Sequence, residues 1–539
     1  MSAVIKAPDQ NESAMGSWLW RFAFLVCLLV QTGTLGEVDT SHRLQVTRWI
    51  WTDAPQSVDP GWSVIGQDGH RYTTAGIGQS VVMLPADVVA HVAELFIQDH
   101  RLRERVREGI VALLTFPALD ATGVFLVFQL LGELGFSRLS RLFGALSLLL
   151  GSSFLHYCQD HQENSLMTFL GIVGAWGLAR WGNTREFKLL IISSLALGFG
   201  LLVRPPFLAV SVAIASAFLG GWWCQSRSPQ EPDTEGCPGA STPRRSEQLQ
   251  ALGILLAGLV IFTAIDRAYQ FRRFGTFTGT YFDAVMAEER ISHPDVADDW
   301  LFSGQLAEGF WGPITTPQRS AFVYDPLLFL FPLGFWGMRS RSRIVSCLCV
   351  GLGAAFLAQD LFYARYIAWE GAGNWANRHT LTPIQLLVPL AAALAVEAWP
   401  RLPRSGRLFV ALVTALSLSI QVSSIIFPDA LETYTDGVSL KPGGIHFDRP
   451  VFLVGKRFVN IYDALRGQEN PDPVGRQFHR VCLAPAVVAR EFPGRGPMAW
   501  AAWSLGLILA GWTVVRLTDI ARGNTGTSQT ADRERLQRC

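Results

Sequence analysis

Charge is what this chain has least of. Asp, Glu, Lys and Arg make up 17% of its 539 residues, against about 25% in a soluble domain. With 49% hydrophobic residues and a mean hydropathy of +0.25, this excludes an ordinary water-soluble globule. The charge present is balanced, 45 basic against 44 acidic residues. A net of +1 gives no pointer to nucleic acid, and none is expected as a partner. The eight cysteines lack metal-ligand spacing, and Cys27, Cys224, Cys347 and Cys349 fall in or beside apolar runs. Cys158 and Cys482 fall on one expected face, which leaves a disulfide between them open. No internal repeat is visible, nor a matched pair of Gly/Pro-broken spans of the kind that points to a secondary transporter. No small-x-small cleavage site follows the first apolar run, Trp18 to Gly36, which reads as an uncleaved first span.

What the chain does have is apolar runs of roughly 17 to 25 residues, the length that crosses a hydrocarbon core. They predict an all-α polytopic membrane protein with about twelve transmembrane helices and long extracytoplasmic loops. The expected spans are 17–36, 108–133, 140–156, 164–180, 188–203, 206–224, 249–267, 323–338, 344–364, 381–399, 407–427 and 497–516. Five basic linkers, Arg138–Arg141, Trp181–Lys188, Ser226–Arg245, Arg339–Arg343 and Arg401–Arg407, fall on alternate connections. Positive charge marks the cytoplasmic side, so both termini are expected there. Segments 37–107, 268–322, 365–380 and 428–496 then face out. Arg101, Arg103, Arg105 and Arg107 stand against that rule. Residues 78–97 hold Pro85, Asp87, His91 and Glu94, costly in lipid, so an amphipathic surface helix over about 80–97 is preferred to a further span. The loop 225–248 is rich in Pro, Ser and Glu and is expected to be disordered. Three regions are expected: a transmembrane domain over 1–427, an outer loop or small cap over 428–496, and a last span with its tail over 497–539. The cap is hydrophilic, with Asp429, Lys441, His446, Asp448, Arg449 and Arg476.

The polar residues worth chemistry lie at the outer ends of spans. Glu37 and Asp39 follow the first span directly, where a carboxylate can take a proton from a hydroxyl or hold a metal; solvation of a span end is the competing reading. The turn His156–Asn164 packs two His and two carboxylates, and Asp160, His161 and Glu163 are candidate ligands for a divalent metal, although no standard zinc spacing is present. Arg204 ends a span just before Pro205-Pro206, where it must snorkel, pair or meet an anion such as phosphate. The stretch Arg365–His379 supplies Trp369 and Trp375 for stacking on sugar faces, and Arg378 and His379 for phosphate.

The order of these parts resembles the GT-C superfamily of polytopic glycosyltransferases. It is most similar to the bacterial branch related to protein O-mannosyltransferases and lipopolysaccharide-core sugar transferases. The likeness runs through Asp68-Gly69-His70-Arg71-Tyr72, Gly76-Ile77-Gly78-Gln79-Ser80, Leu84-Pro85, Arg204-Pro205, Arg273-Phe274-Gly275, Thr278–Tyr281, Gly309–Gly312, Asp325–Leu328 and Trp369–Arg378. It departs from the pattern where Val38 splits Glu37 from Asp39 and where a Lys-Pro-Pro element is missing. The resemblance implies inverting transfer of a sugar from a polyprenyl-phosphate donor to a lipid, glycan or protein acceptor. It implies a bacterial cytoplasmic membrane, with the site outside. Asp39, or else Glu37, would act on the acceptor hydroxyl; Arg204, Arg378 and His379 would bind the leaving phosphate, with Tyr72, Trp369 and Trp375 as further substrate contacts. A flippase of lipid-linked saccharide, a polysaccharide polymerase or ligase, and an inactive relative are the alternatives.

Overall fold

The computed structural model describes residues 10–536, except 37, 62, 228–242, 296, 298, 339–342, 372–373, 429–430, 433–437, 442–443, 448–451, 469–478 and 493. Glu37, Gly373, Asp429, Asp448, Arg449, Arg476, most of the loop expected to be disordered and most of the linker Arg339–Arg343 therefore lie outside the described residues.

The architecture is helical. In chain order it runs α1 (Gln10–Leu29), α2 (Val38–Trp51), a hairpin β1 (Ser63–Ile65) and β2 (Arg71–Thr73), α3 (Gly78–Glu94), α4 (His100–Glu133), α5 (Arg138–Gly151), α6 (Phe154–Asp160), α7 (Glu163–Thr184), α8 (Phe187–Val203), α9 (Phe207–Arg227) and α10 (Arg245–Phe274). There follow α11 (Tyr281–Ser292), α12 (Leu306–Thr315), α13 (Ala321–Tyr324), α14 (Phe331–Met338), α15 (Arg343–Tyr363), α16 (Leu381–Ala398) and α17 (Arg404–Ser424). A second hairpin, β3 (Val438–Lys441) with β4 (Gly444–Phe447), precedes α18 (Leu453–Leu465), α19 (Ala484–Glu491) and α20 (Gly496–Leu536).

Among the described residues, seven helices are long and apolar enough to cross a membrane, or eight if the bent pair α5–α6 is one span. This is an integral membrane protein by that measure, with fewer such helices than the twelve spans expected. Helices α1, α7, α8 and α14 occupy expected spans but fall short in length or hydropathy. The reason is visible in α7. It begins Glu163-Asn164-Ser165 and is buried almost all round, so its polar residues face protein and need no apolar sequence to be accommodated.

The bundle has two distinct ends. Glu12 of α1 meets Arg138 and Arg141, Glu133 of α4 meets Arg180, Glu247 of α10 meets Arg185, and Glu397 of α16 accepts from Ser137 N. The described arginines of four basic linkers thus share one end with the start of α15, where Arg343 donates to the Cys224 carbonyl. From there α1, α5–α6, α8 and α15 run to the opposite end, where α7 and α16 begin. α16 is the inner pillar, buried over most of its length; Gly144 lets α5 approach its Pro389 carbonyl. α8 and α10 meet through Gly198, Gly258 and Ser194, small residues that allow close backbone contact.

The amphipathic helix expected over 80–97 is present as α3. Its Asp87 and Glu94 meet Arg48 of α2 and Arg107 of α4 in a largely buried network. That accounts for Arg107: it is held by carboxylates, not by a membrane face. α4, with 34 residues, is about 51 Å long. A hydrocarbon core of about 30 Å leaves several turns, including Arg101–Arg107, beyond it.

Candidate functional site

Asp39 sits in the first turn of α2, where the helix dipole favours an acid. The chain reaches it from α1 through Gly36, which has φ +78° and lies against Asp160; a Cβ there would stand 2.7 Å from Asp160 Oδ1. Thr40 Oγ1 and Gln79 Nε2 both donate to the His161 carbonyl, at 3.1 and 2.7 Å. So α2 and α3 jointly fix the turn between α6 and α7.

That turn delivers Glu163 to the floor of the site. Its Oε2 accepts from Arg43 Nη2 at 2.7 Å and its Oε1 from Arg204 Nη1 at 3.1 Å. Arg43 is four residues after Asp39 on α2, hence on the same face. At the rim, Arg378 Nη1 donates to Asp39 Oδ2 at 3.2 Å. Side-chain exposure grades from 4–5% for Arg43 and Glu163, through 15% for Arg204, to 21–22% for Arg378 and Asp39. Among the described residues, three guanidiniums face two carboxylates, a net of +1. Arg43 Nε and Nη1 and Arg378 Nε are buried N–H donors without an acceptor among the described residues. Such donors are costly unless something binds them.

His379 completes the group. Its Nδ1 lies 2.8 Å from Arg204 Nη2, which can only donate, so Nδ1 accepts and Nε2 carries the proton toward the Ala368 carbonyl at 3.1 Å. Burial, then Arg204 and Arg378, hold His379 well below the usual histidine range, so it is neutral. Its ring stacks on Tyr363 at 4.1 Å, and the Arg204 guanidinium lies 5.5 Å over that same Tyr363 ring. The loop before it is tied down: Asn377 bonds Trp369 O and His379 N, and Ala376 takes φ +60°.

Of the residues singled out in the sequence, Asp39, Glu163, Arg204, Arg378 and His379 come together here. Glu37 is outside the described residues, and the remaining ones lie elsewhere. Trp369 packs on Gly312, and Trp375 is wedged among His156, Tyr324 and Arg457; both indoles are buried and already covered. Tyr72 donates to Asp68 at 2.7 Å and packs on Trp49 and Phe274; burial, then that bond, push its hydroxyl up to about 12. Asp160 backs onto Gly36. His161 stacks on Phe116 at 4.5 Å, fully buried, and burial drives it down to about 3. With both Glu163 oxygens on arginines, Asp160, His161 and Glu163 form no convergent ligand set among the described residues, and no metal step is derived from them. Cys158 and Cys482 are both free cysteines, and Cys158 lies instead beside Cys27.

Sequence reading missed Arg43 and Tyr363. The signal for Arg43 was its spacing from Asp39, which has meaning only if 38–51 is a helix. The glycine motifs of the first outer segment act at one remove. Gly76 and Gly78 press on the backbone of Leu202 and Val203, just before Arg204. Arg273 donates to the carbonyls of Thr73 and Ala75, and Gln67 N to the Arg273 carbonyl, locking the hairpin to α10.

No family model matches the chain, and no curated protein matches it. Among solved structures it is similar to the archaeal oligosaccharyltransferase AglB from Archaeoglobus fulgidus, in complex with an inhibitory peptide and a dolichol-phosphate. The identity is 12% and the TM-score 0.44, over 87% of this chain and 59% of that one. It is also similar to ArnT from Cupriavidus metallidurans bound to undecaprenyl phosphate, at 13% identity and TM-score 0.39, over 95% and 77%. The chain thus spans 59% of the length of that oligosaccharyltransferase. Likeness at this level concerns helical layout, and no residue correspondence follows from it.

Proposed function

We propose that the chain is a membrane glycosyltransferase that moves a sugar from a polyprenyl-phosphate donor to an acceptor on the extracytoplasmic face. One observation carries the reading: a carboxylate at the rim, Asp39, stands beside a sunken guanidinium group with surplus positive charge and unused N–H donors. The group lies at the end of the bundle opposite the basic linkers, which supports an extracytoplasmic site under the charge rule. The order of sequence motifs gives further support.

In this reading Arg204, Arg378 and the inner Arg43 hold the donor phosphate. The acceptor hydroxyl attacks the anomeric carbon from the face opposite the phosphate. The C–O bond to phosphate breaks as the new C–O bond forms, inverting the centre, and the hydroxyl proton passes to Asp39. Charge growing on the departing phosphate is met by donors already in place, an arrangement worth about 3 kcal/mol per donor in other enzymes. Neutral His379 accepts from Arg204 and fixes its direction without adding charge.

The test is transfer by purified protein in liposomes supplied with a radiolabelled polyprenyl-phosphate sugar. Asp39→Asn should lower the rate at saturating donor by more than about 10²-fold, the scale of a lost general base, while polyprenyl phosphate still binds. Wild-type turnover by Asp39→Asn would refute the assignment. Lipid-linked sugar crossing the bilayer with no product formed would favour a flippase.

A further inference from the structure

A second polar cluster lies below the site, and the proposed reaction does not use it. Cys27 of α1, Asp120 of α4 and Cys158 of α6 converge in the protein interior, all fully buried, with ligand atoms within 4.8 Å of one another. Asp120 has no cationic side chain beside it among the described residues; the polar groups next to its carboxylate are the Cys158 thiol and Ser165 Oγ of α7. Gln31 Nε2 bridges the carbonyls of Cys27 and Cys158 at 2.7 and 2.8 Å, fixing both backbones.

We infer that Cys27, Asp120 and Cys158 bind a thiophilic divalent cation of the zinc class, with Ser165 Oγ placed as a fourth donor. The sulfur spacing points to it. Two thiolates about 2.3 Å from a tetrahedral centre stand about 3.8 Å apart; here the Cys27 thiol donates to Cys158 Sγ at 3.9 Å, so the sulfurs already stand at ligand spacing. A disulfide needs about 2.05 Å. The fully buried carboxylate is the second observation: only neutral donors, the Cys158 thiol and the Ser165 hydroxyl, stand beside it, and no basic side chain among the described residues offsets its charge, which a cation would do. Binding replaces the two thiol protons, and the Asp120 proton where that carboxyl is protonated, with one M²⁺; the two thiolates and the carboxylate then offset the ion and leave the loaded cluster at −1. Three side chains from three helices, with Ser165 Oγ of α7 in the fourth position, make this a closed, structural site. It would staple α1, α4 and α6 just under Gly36 and the start of α2.

The experiment uses the full chain purified in detergent with reductant, and reads metal by mass spectrometry. About one zinc per chain should survive dialysis. Cys27→Ser and Asp120→Asn should lower that content more than about tenfold. Chelator-stripped wild type, which needs no variant to fold, should take up cobalt with a sulfur-to-metal charge-transfer band and release about two to three protons per ion, two from the thiols and the third from a protonated Asp120. A chain with the other six cysteines, Cys224, Cys237, Cys347, Cys349, Cys482 and Cys539, changed to alanine should keep the band. Absence of zinc together with no cobalt band in stripped wild type overturns the site. So does a Cys27–Cys158 disulfide in protein purified without reductant, or a band that depends on the other six cysteines.

Discussion

Glu163→Gln tests the arrangement at its centre. The substitution keeps shape and removes one negative charge, taking the cluster of Arg43, Arg204, Arg378, Asp39 and residue 163 from +1 to +2. Arg43 then has no counter-ion in contact among the described residues, and its side chain is only 4% exposed. Breaking a buried pair this way costs about 3–5 kcal/mol; the amide oxygen still accepts one N–H, so about 3 kcal/mol is expected. The same change should sharpen the appetite for anions. Phosphate at ten times its dissociation constant returns about 1.4 kcal/mol, and it should return more to Glu163→Gln than to wild type. The assay is reversible unfolding in mixed detergent followed by tryptophan fluorescence, with and without inorganic phosphate. If Glu163→Gln stays within about 1 kcal/mol of wild type, Glu163 does not hold the arginines. If phosphate stabilises neither protein, the group is not an anion site.

Two further expectations follow from single contacts. Gly36→Ala puts a Cβ at φ +78° against Asp160; about 2 kcal/mol should be lost, and transfer should slow because Asp39 is displaced, whereas a wild-type rate and stability would show that the α1–α2 connection does not place Asp39. Glu370 is buried with one oxygen unpartnered, and burial raises its carboxyl from 4.5 to about 7. Its folded value exceeds the unfolded one, so its full contribution is present below about pH 4.5 and is lost as pH rises through about 7, by roughly 3 kcal/mol. Glu370→Gln should flatten that part of the stability–pH curve, and an unchanged slope would place the titration elsewhere.

The sequence by itself determined the class of molecule. Scarce charge and long apolar runs suffice for a membrane protein, because lipid tolerates little else along an exposed helix. The patterned linkers marked one end, and α3 was legible because Pro85, Asp87, His91 and Glu94 make a poor span and a good surface helix. Arg204, Arg378 and His379 stood out because charge at a span end demands a partner. Which partner was decided only by tertiary structure. Glu163 meets Arg43, 120 positions away in sequence, and Asp39 meets Arg378, 339 away; no local periodicity encodes such pairs, since helix packing sets them. The same holds for Trp375, a sugar-stacking indole by sequence and a core residue once Tyr324 and Arg457 close around it. Span number is not settled by hydropathy, which sees a segment and not its neighbours: seven or eight described helices are long and apolar enough to cross, against the twelve spans expected. Whether a helix such as α7 faces lipid or protein depends on what surrounds it, and that is a property of the whole bundle.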